Sequence, residues 1–117
     1  MSKITLLFLF IFLPQSFVAT QDFNSKIKRG VTVVEFWAEW NKKNEVKYLG
    51  DLTGCKKYRL NIIEHSAIQK EYNIYSIPTL IVFKDGKLQE RYSPNIMMQL
   101  EVLQSVVQAK IDKLNSN

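Results

Sequence analysis

Polar and apolar positions along the chain repeat with two periods, two residues and about 3.6, and each change of period marks an element. Residues 22–29 predict a short helix that turns Phe23 and Ile27 inward and stops at Gly30. The β-branched run 31–34, completed by Phe36, predicts a central strand. A second helix is expected to start at Asn41, whose side-chain oxygen suits an N-cap, and to run through Val46 and Leu49 until Gly54 ends it. Tyr58, Leu60 and Ile62 then alternate with Arg59, Asn61 and Ile63 as a strand, and Ser66 caps a short helix reaching Tyr72. Residues 80–83, the Asp85-Gly86 turn and residues 88–92 predict an antiparallel hairpin, because Asp-Gly supplies the positive φ angles of a two-residue turn. Ile96, Leu100, Leu103, Val107, Ile111 and Leu114 form a stripe for a terminal helix, with Met97 and Met98 as packing residues at its start. With no internal repeat or linker, this pattern predicts one mixed α/β domain over residues 21–117.

The first twenty residues are patterned differently. Lys3, the apolar run 4–13, the breaker Pro14 and the small Ala19 predict a secretory signal peptide over 1–20, so the domain is expected to be exported, periplasmic or extracellular. Phe17 stands where a cut after Ala19 prefers a small residue, with Thr20 as the alternative end. An uncleaved anchor is the competing reading, opposed by an apolar run shorter than the roughly 20 residues of a membrane span. Membrane contact is therefore expected only in passing, and a lipoprotein is excluded because Cys55 lies far downstream.

Composition narrows the function. The 117 residues are 46% hydrophobic and 12% aromatic, enough for a core without covalent help. Removing 1–20 takes away Lys3 and no acid, leaving fifteen basic against eleven acidic side chains. These alternate along the chain, which argues against a nucleic-acid partner. His65 is the only histidine and Cys55 the only cysteine, so neither a metal centre nor an internal disulfide is expected, and no cofactor is called for. Cys55 reads either as a half-buried small hydrophobe or as a reactive thiol beside Lys56 and Lys57 that attacks a partner or bridges two chains.

Two stretches carry a family likeness. Val34-Glu35-Phe36-Trp37-Ala38-Glu39-Trp40-Asn41-Lys42-Lys43-Asn44 and the later run 72–87, containing Ser76-Ile77-Pro78-Thr79, resemble in correct order the two signatures of the thioredoxin family. The resemblance covers about residues 23–114 and implies a thioredoxin-like fold, a central mixed β-sheet flanked by helices. The stretch 44–59 is several residues short of the family pattern, implying an abbreviated second helix, and Ser93 and Pro94 replace the glycine usual after the last strand. Asn41 and Asn44 stand where the family carries its Cys-x-x-Cys pair. Disulfide exchange needs one thiolate to attack and a second thiol to resolve, so ordinary dithiol catalysis, the family's part in cell redox homeostasis, is not expected.

The resemblance further implies that Pro78 follows a cis peptide bond, that the backbone at Ile77 pairs with an extended client, and that Trp40 gives the client an apolar contact. It also places Glu35 as a buried acid beneath the site, which Arg59 on the neighbouring strand compensates. Lys42 and Lys43 read as a solvated pair, with anion holding as the sharper alternative. The expected function is binding of a protein or peptide at the Trp40–Pro78 edge. One alternative is a monothiol enzyme using Cys55, which needs that sulfur near Trp40 and Pro78. Another is a structural subunit, which needs an exposed apolar patch away from Pro78.

Overall fold

Short connections decide how the elements stack. In the computed structural model, which describes residues 15–116 and side chains from Thr20 onward, helix α1 (Gln15–Ile27) turns through Gly30 into strand β1 (Val31–Trp37). Gly30, at φ 71°, donates its N–H to Asp85 Oδ1 at 2.8 Å and accepts from Asp85 N at 3.0 Å. So tight a turn sends α1 back along the sheet, antiparallel to β1. Lys56 Nζ closes its end, 2.7 Å from the Lys26 carbonyl.

Two short 3₁₀ segments (Glu39–Asn44 and Leu49–Asp51) lead to β2 (Lys56–Asn61), helix α2 (Ser66–Glu71), the hairpin β3 (Thr79–Lys84) and β4 (Lys87–Tyr92), and helix α3 (Gln104–Asn115). The sheet runs β2-β1-β3-β4, with β1 parallel to β2 and the remaining pairs antiparallel. This is the mixed four-stranded, helix-flanked sheet expected of a thioredoxin-like fold. The hairpin turn is Asp85-Gly86, both at positive φ, as its type requires.

Alternation along the buried strands feeds two cores. Val34, Phe36, Ile81 and Phe83 face α1 and α2, where Phe23 and Tyr72 meet at 5.8 Å and Tyr72 meets Phe83 at 5.5 Å between ring centroids. Val31, Val33, Leu80 and Val82 face the other way, onto Leu52 and the α3 residues Val107, Ile111 and Leu114.

Three helices differ from their expected extents. Helix α1, expected over 22–29, begins at Gln15 and runs through residue 20 without a break; most of the expected signal peptide lies outside the described residues. No α-helix starts at Asn41: the 3₁₀ segment begins after Ala38, Asn41 is inside it with non-helical angles, and Glu45 turns extended with ψ 152°. Val46 explains the break. Its N–H goes to Glu35 Oε2 at 2.9 Å and its carbonyl to Arg59 Nη2 at 2.9 Å, so tertiary partners take the groups a helix would need. The terminal helix starts at Gln104 rather than near Ile96. After Pro94, Asn95 Oδ1 accepts the N–H groups of Met97 (2.9 Å) and Gln99 (3.1 Å), a local turn that outcompetes a helix, and Met98 adopts φ 59°. Val107, Ile111 and Leu114 still pack inward, whereas Ile96, Met97 and Leu103 are exposed.

Candidate functional site at the end of the first strand

Beyond the carboxyl end of β1 three segments converge on one side chain. Asn41 is buried, and its Nδ2 donates to the Ile77 carbonyl at 3.3 Å and to the Met98 carbonyl at 3.2 Å. Its Oδ1 accepts from Asn44 Nδ2 at 2.8 Å. Both amide protons and the oxygen are engaged, so Asn41 clasps the segment after β1, the segment before β3 and the loop after β4. The role expected of it, capping a helix with its oxygen, is replaced by this clasp. Met98 was not legible as part of the site; the one signal was Pro94-Asn95, a turn pair inside an otherwise helical stripe.

Trp40, next to the clasp, is 62% exposed. Ile77 is 2% exposed, its side chain turned into the core and its carbonyl held by Asn41, while the Ile77–Pro78 bond is cis and Pro78 is buried. Of the three expected contact residues, Trp40 alone presents its side chain to solvent. Thr79 Oγ1 donates to the Ser76 carbonyl at 2.7 Å and braces the turn from within. Lys42 and Lys43 are exposed, and Lys42 Nζ lies 3.9 Å from Glu39 Oε1.

Glu35 sits beneath, fully buried, at the position that pairs in register with Arg59. Arg59 Nε donates to Glu35 Oε1 at 2.8 Å and stands 3.8 Å from Glu45 Oε2. Burial pushes the Glu35 carboxyl above its ordinary 4.5, against the lowering pull of the Val46 N–H and of Arg59. With Val46 also bonded, the carboxylate braces the segment that follows the clasp. Tyr48 ties that segment to the last loop through a 2.8 Å bond from its hydroxyl to the Val102 carbonyl; burial, first, and neighbouring Tyr92 and Glu35 push its pKa up to about 12, so the hydroxyl keeps its proton.

Cys55 is elsewhere. It precedes Lys56, which pairs with Thr32 near the start of β1, whereas Asn41 follows Trp37 at its end. Five strand steps of about 3.3 Å separate those levels by roughly 17 Å. The thiol is half-buried against the α3-side core, and burial raises its pKa despite a lowering contribution from Lys57. The monothiol alternative required proximity and an activated sulfur, and this geometry removes both. Among the described residues no group of three His, Cys, Asp or Glu side chains is placed to hold a metal. The structural-subunit alternative wanted its patch away from Pro78, yet most exposed large apolar side chains gather at this same end.

Comparison with known proteins agrees with this geometry. A family model described as Thioredoxin matches residues 15–109. Thioredoxin of Staphylococcus epidermidis is 39% identical over 77 residues, covering 60% of this chain and 74% of that protein. Thioredoxin of Chlamydia caviae is 36% identical over 84 residues, covering 63% and 78%. Among solved structures, a mutant thioredoxin from Halobacterium salinarum superposes with a TM-score of 0.65 at 20% identity over 80% of this chain and 83% of its own. Plasmodium falciparum thioredoxin gives 0.60 at 25% identity over 80% and 91%.

Proposed function

This chain belongs to the thioredoxin family, and from that premise we propose that it is an exported member that binds a protein or peptide at the Trp40–Pro78 end without exchanging disulfides. The observation that carries this reading is the 2.8 Å amide–amide bond between Asn41 and Asn44. It links the two positions that resemble the family's cysteine pair with a contact that is neither nucleophilic nor reducible. With a single cysteine in the whole sequence, at the other end of the sheet, no second thiol is available for resolution.

Support for binding comes from what surrounds the clasp. Trp40 is presented to solvent beside a pinned backbone, an arrangement suited to an apolar anchor on a client. The Ile77 carbonyl retains one lone pair beyond its bond to Asn41, so an extended client has an acceptor there as well. Export rests on residues 1–20, and protease protection of intact cells expressing the chain tests it.

The binding test is titration of the full chain with a library of extended peptides, read by Trp40 fluorescence in a Trp37→Phe background. Saturable binding that Trp40→Ala weakens by about tenfold or more supports the reading. Peptides that bind equally well to the Trp40→Ala chain would contradict it.

A further inference from the structure

The two ends of the sheet differ sharply in surface chemistry. Among the described residues nine large apolar side chains are exposed, and six of them, Trp40, Ile63, Tyr75, Ile96, Met97 and Met98, follow or precede strands at one end. Register places them there: Trp37 pairs with Asn61, Phe36 with Thr79 and Leu80 with Tyr92, and each of the six lies just beyond one of these positions. Ile96 is 98% exposed and Tyr75 86%. Nothing in the fold requires this. Asn95 builds a turn that projects Ile96 and Met97 outward instead of folding them onto the sheet.

The same end receives the leader. Helix α1 runs antiparallel to β1, with Phe23 against Phe36 near the strand's end at 6.3 Å between ring centroids. Eight residues earlier, at about 1.5 Å each, Gln15 lies some 12 Å further in that direction. The apolar run 4–13 therefore joins the domain at its apolar end. Tryptophan, tyrosine and flanking lysines such as Lys42 and Lys43 are the side chains that settle where hydrocarbon meets headgroups.

We infer that this end of the domain docks on a lipid bilayer surface, with Trp40, Ile96 and Met97 entering the interface beside a retained leader. A run of ten apolar residues is too short to span the roughly 30 Å hydrocarbon core, so the side chains of the domain add the contact that a short leader lacks. Glu39, Glu64 and Glu101 are the acids at this end, with Glu39 near Lys42 and Glu101 bonded by Asn95. Docking goes beyond the client reading and does not depend on it, because peptide binding is measured without lipid.

The test uses the full chain carrying Trp37→Phe, so that Trp40 is the sole tryptophan, with vesicles of phosphatidylethanolamine and phosphatidylglycerol containing brominated acyl chains. The expected result is a blue shift of Trp40 emission and quenching by about half, with Ile96→Asp plus Met97→Asp abolishing the quenching while the chain still floats with the vesicles. Flotation without quenching of Trp40 would mean that the leader tethers a domain facing water, and it overturns the inference. Quenching that survives the double substitution also overturns it. So does a blue shift that appears without vesicles and grows with protein concentration, since a second copy would then cover this end.

Discussion

The end of the sheet that carries Asn41 and the end that carries Cys55 have exchanged what a thiol-dependent protein would need. At the first, an accessible tryptophan and a convergence of three segments surround two amides. At the second, the only sulfur is half-buried, raised in pKa and roughly 17 Å distant along β1. Chemistry depends on where a group sits and not on its being present somewhere in the chain. The comparison also separates scaffold from reaction: the bracing of the first end, by Glu35, Arg59 and Val46, is complete without any thiol.

If that bracing is what holds the Asn41 end, its removal is the harshest way to break the contrast. Glu35→Ala leaves the Val46 N–H without its acceptor and Arg59 without its buried partner, and is expected to cost about 2–4 kcal/mol in urea unfolding. Asn41→Ala comes next. It strips the donors from the Ile77 and Met98 carbonyls and the acceptor from Asn44, for an expected loss of about 1–3 kcal/mol, with Asn44→Ala costing less because it removes one bond. Equal losses at the two positions would contradict the clasp.

Glu35→Gln sharpens the same comparison through pH. The folded carboxyl is raised above 4.5, so its favourable contribution is complete below 4.5 and declines as pH climbs from there through the raised folded value. Urea midpoints measured from pH 4 upward should therefore move in favour of the Glu35→Gln variant as pH rises, and movement toward the natural chain would oppose this. At the other end Cys55→Ser is expected to change stability by about 1 kcal/mol or less and to leave Trp40 fluorescence untouched, because the sulfur supports only local packing.

These residues also show what was readable in advance. The hairpin was legible because Asp85-Gly86 and the strand alternation are local signals. The Glu35–Arg59 contact was legible through the resemblance, and the parallel pairing of β1 and β2 sets the two side by side. The clasp was not, since the partners of Asn41 lie 36 and 57 residues away and are backbone carbonyls. Helical periodicity misled at 96–103, where the Asn95 side chain holds a turn, and at 41–49, where Val46 is captured by a pair formed across strands. Local pattern fixes local geometry only when no distant group competes for the same backbone.

The measurement that bears most directly on the whole account is insulin-disulfide reduction by the natural chain, by Cys55→Ser and by the double Asn41→Cys, Asn44→Cys chain. The account predicts background rates for the first two and an increase of about 10² or more for the third, since the scaffold is intact and only its thiols are missing. Reduction by the natural chain that disappears with Cys55→Ser would contradict it.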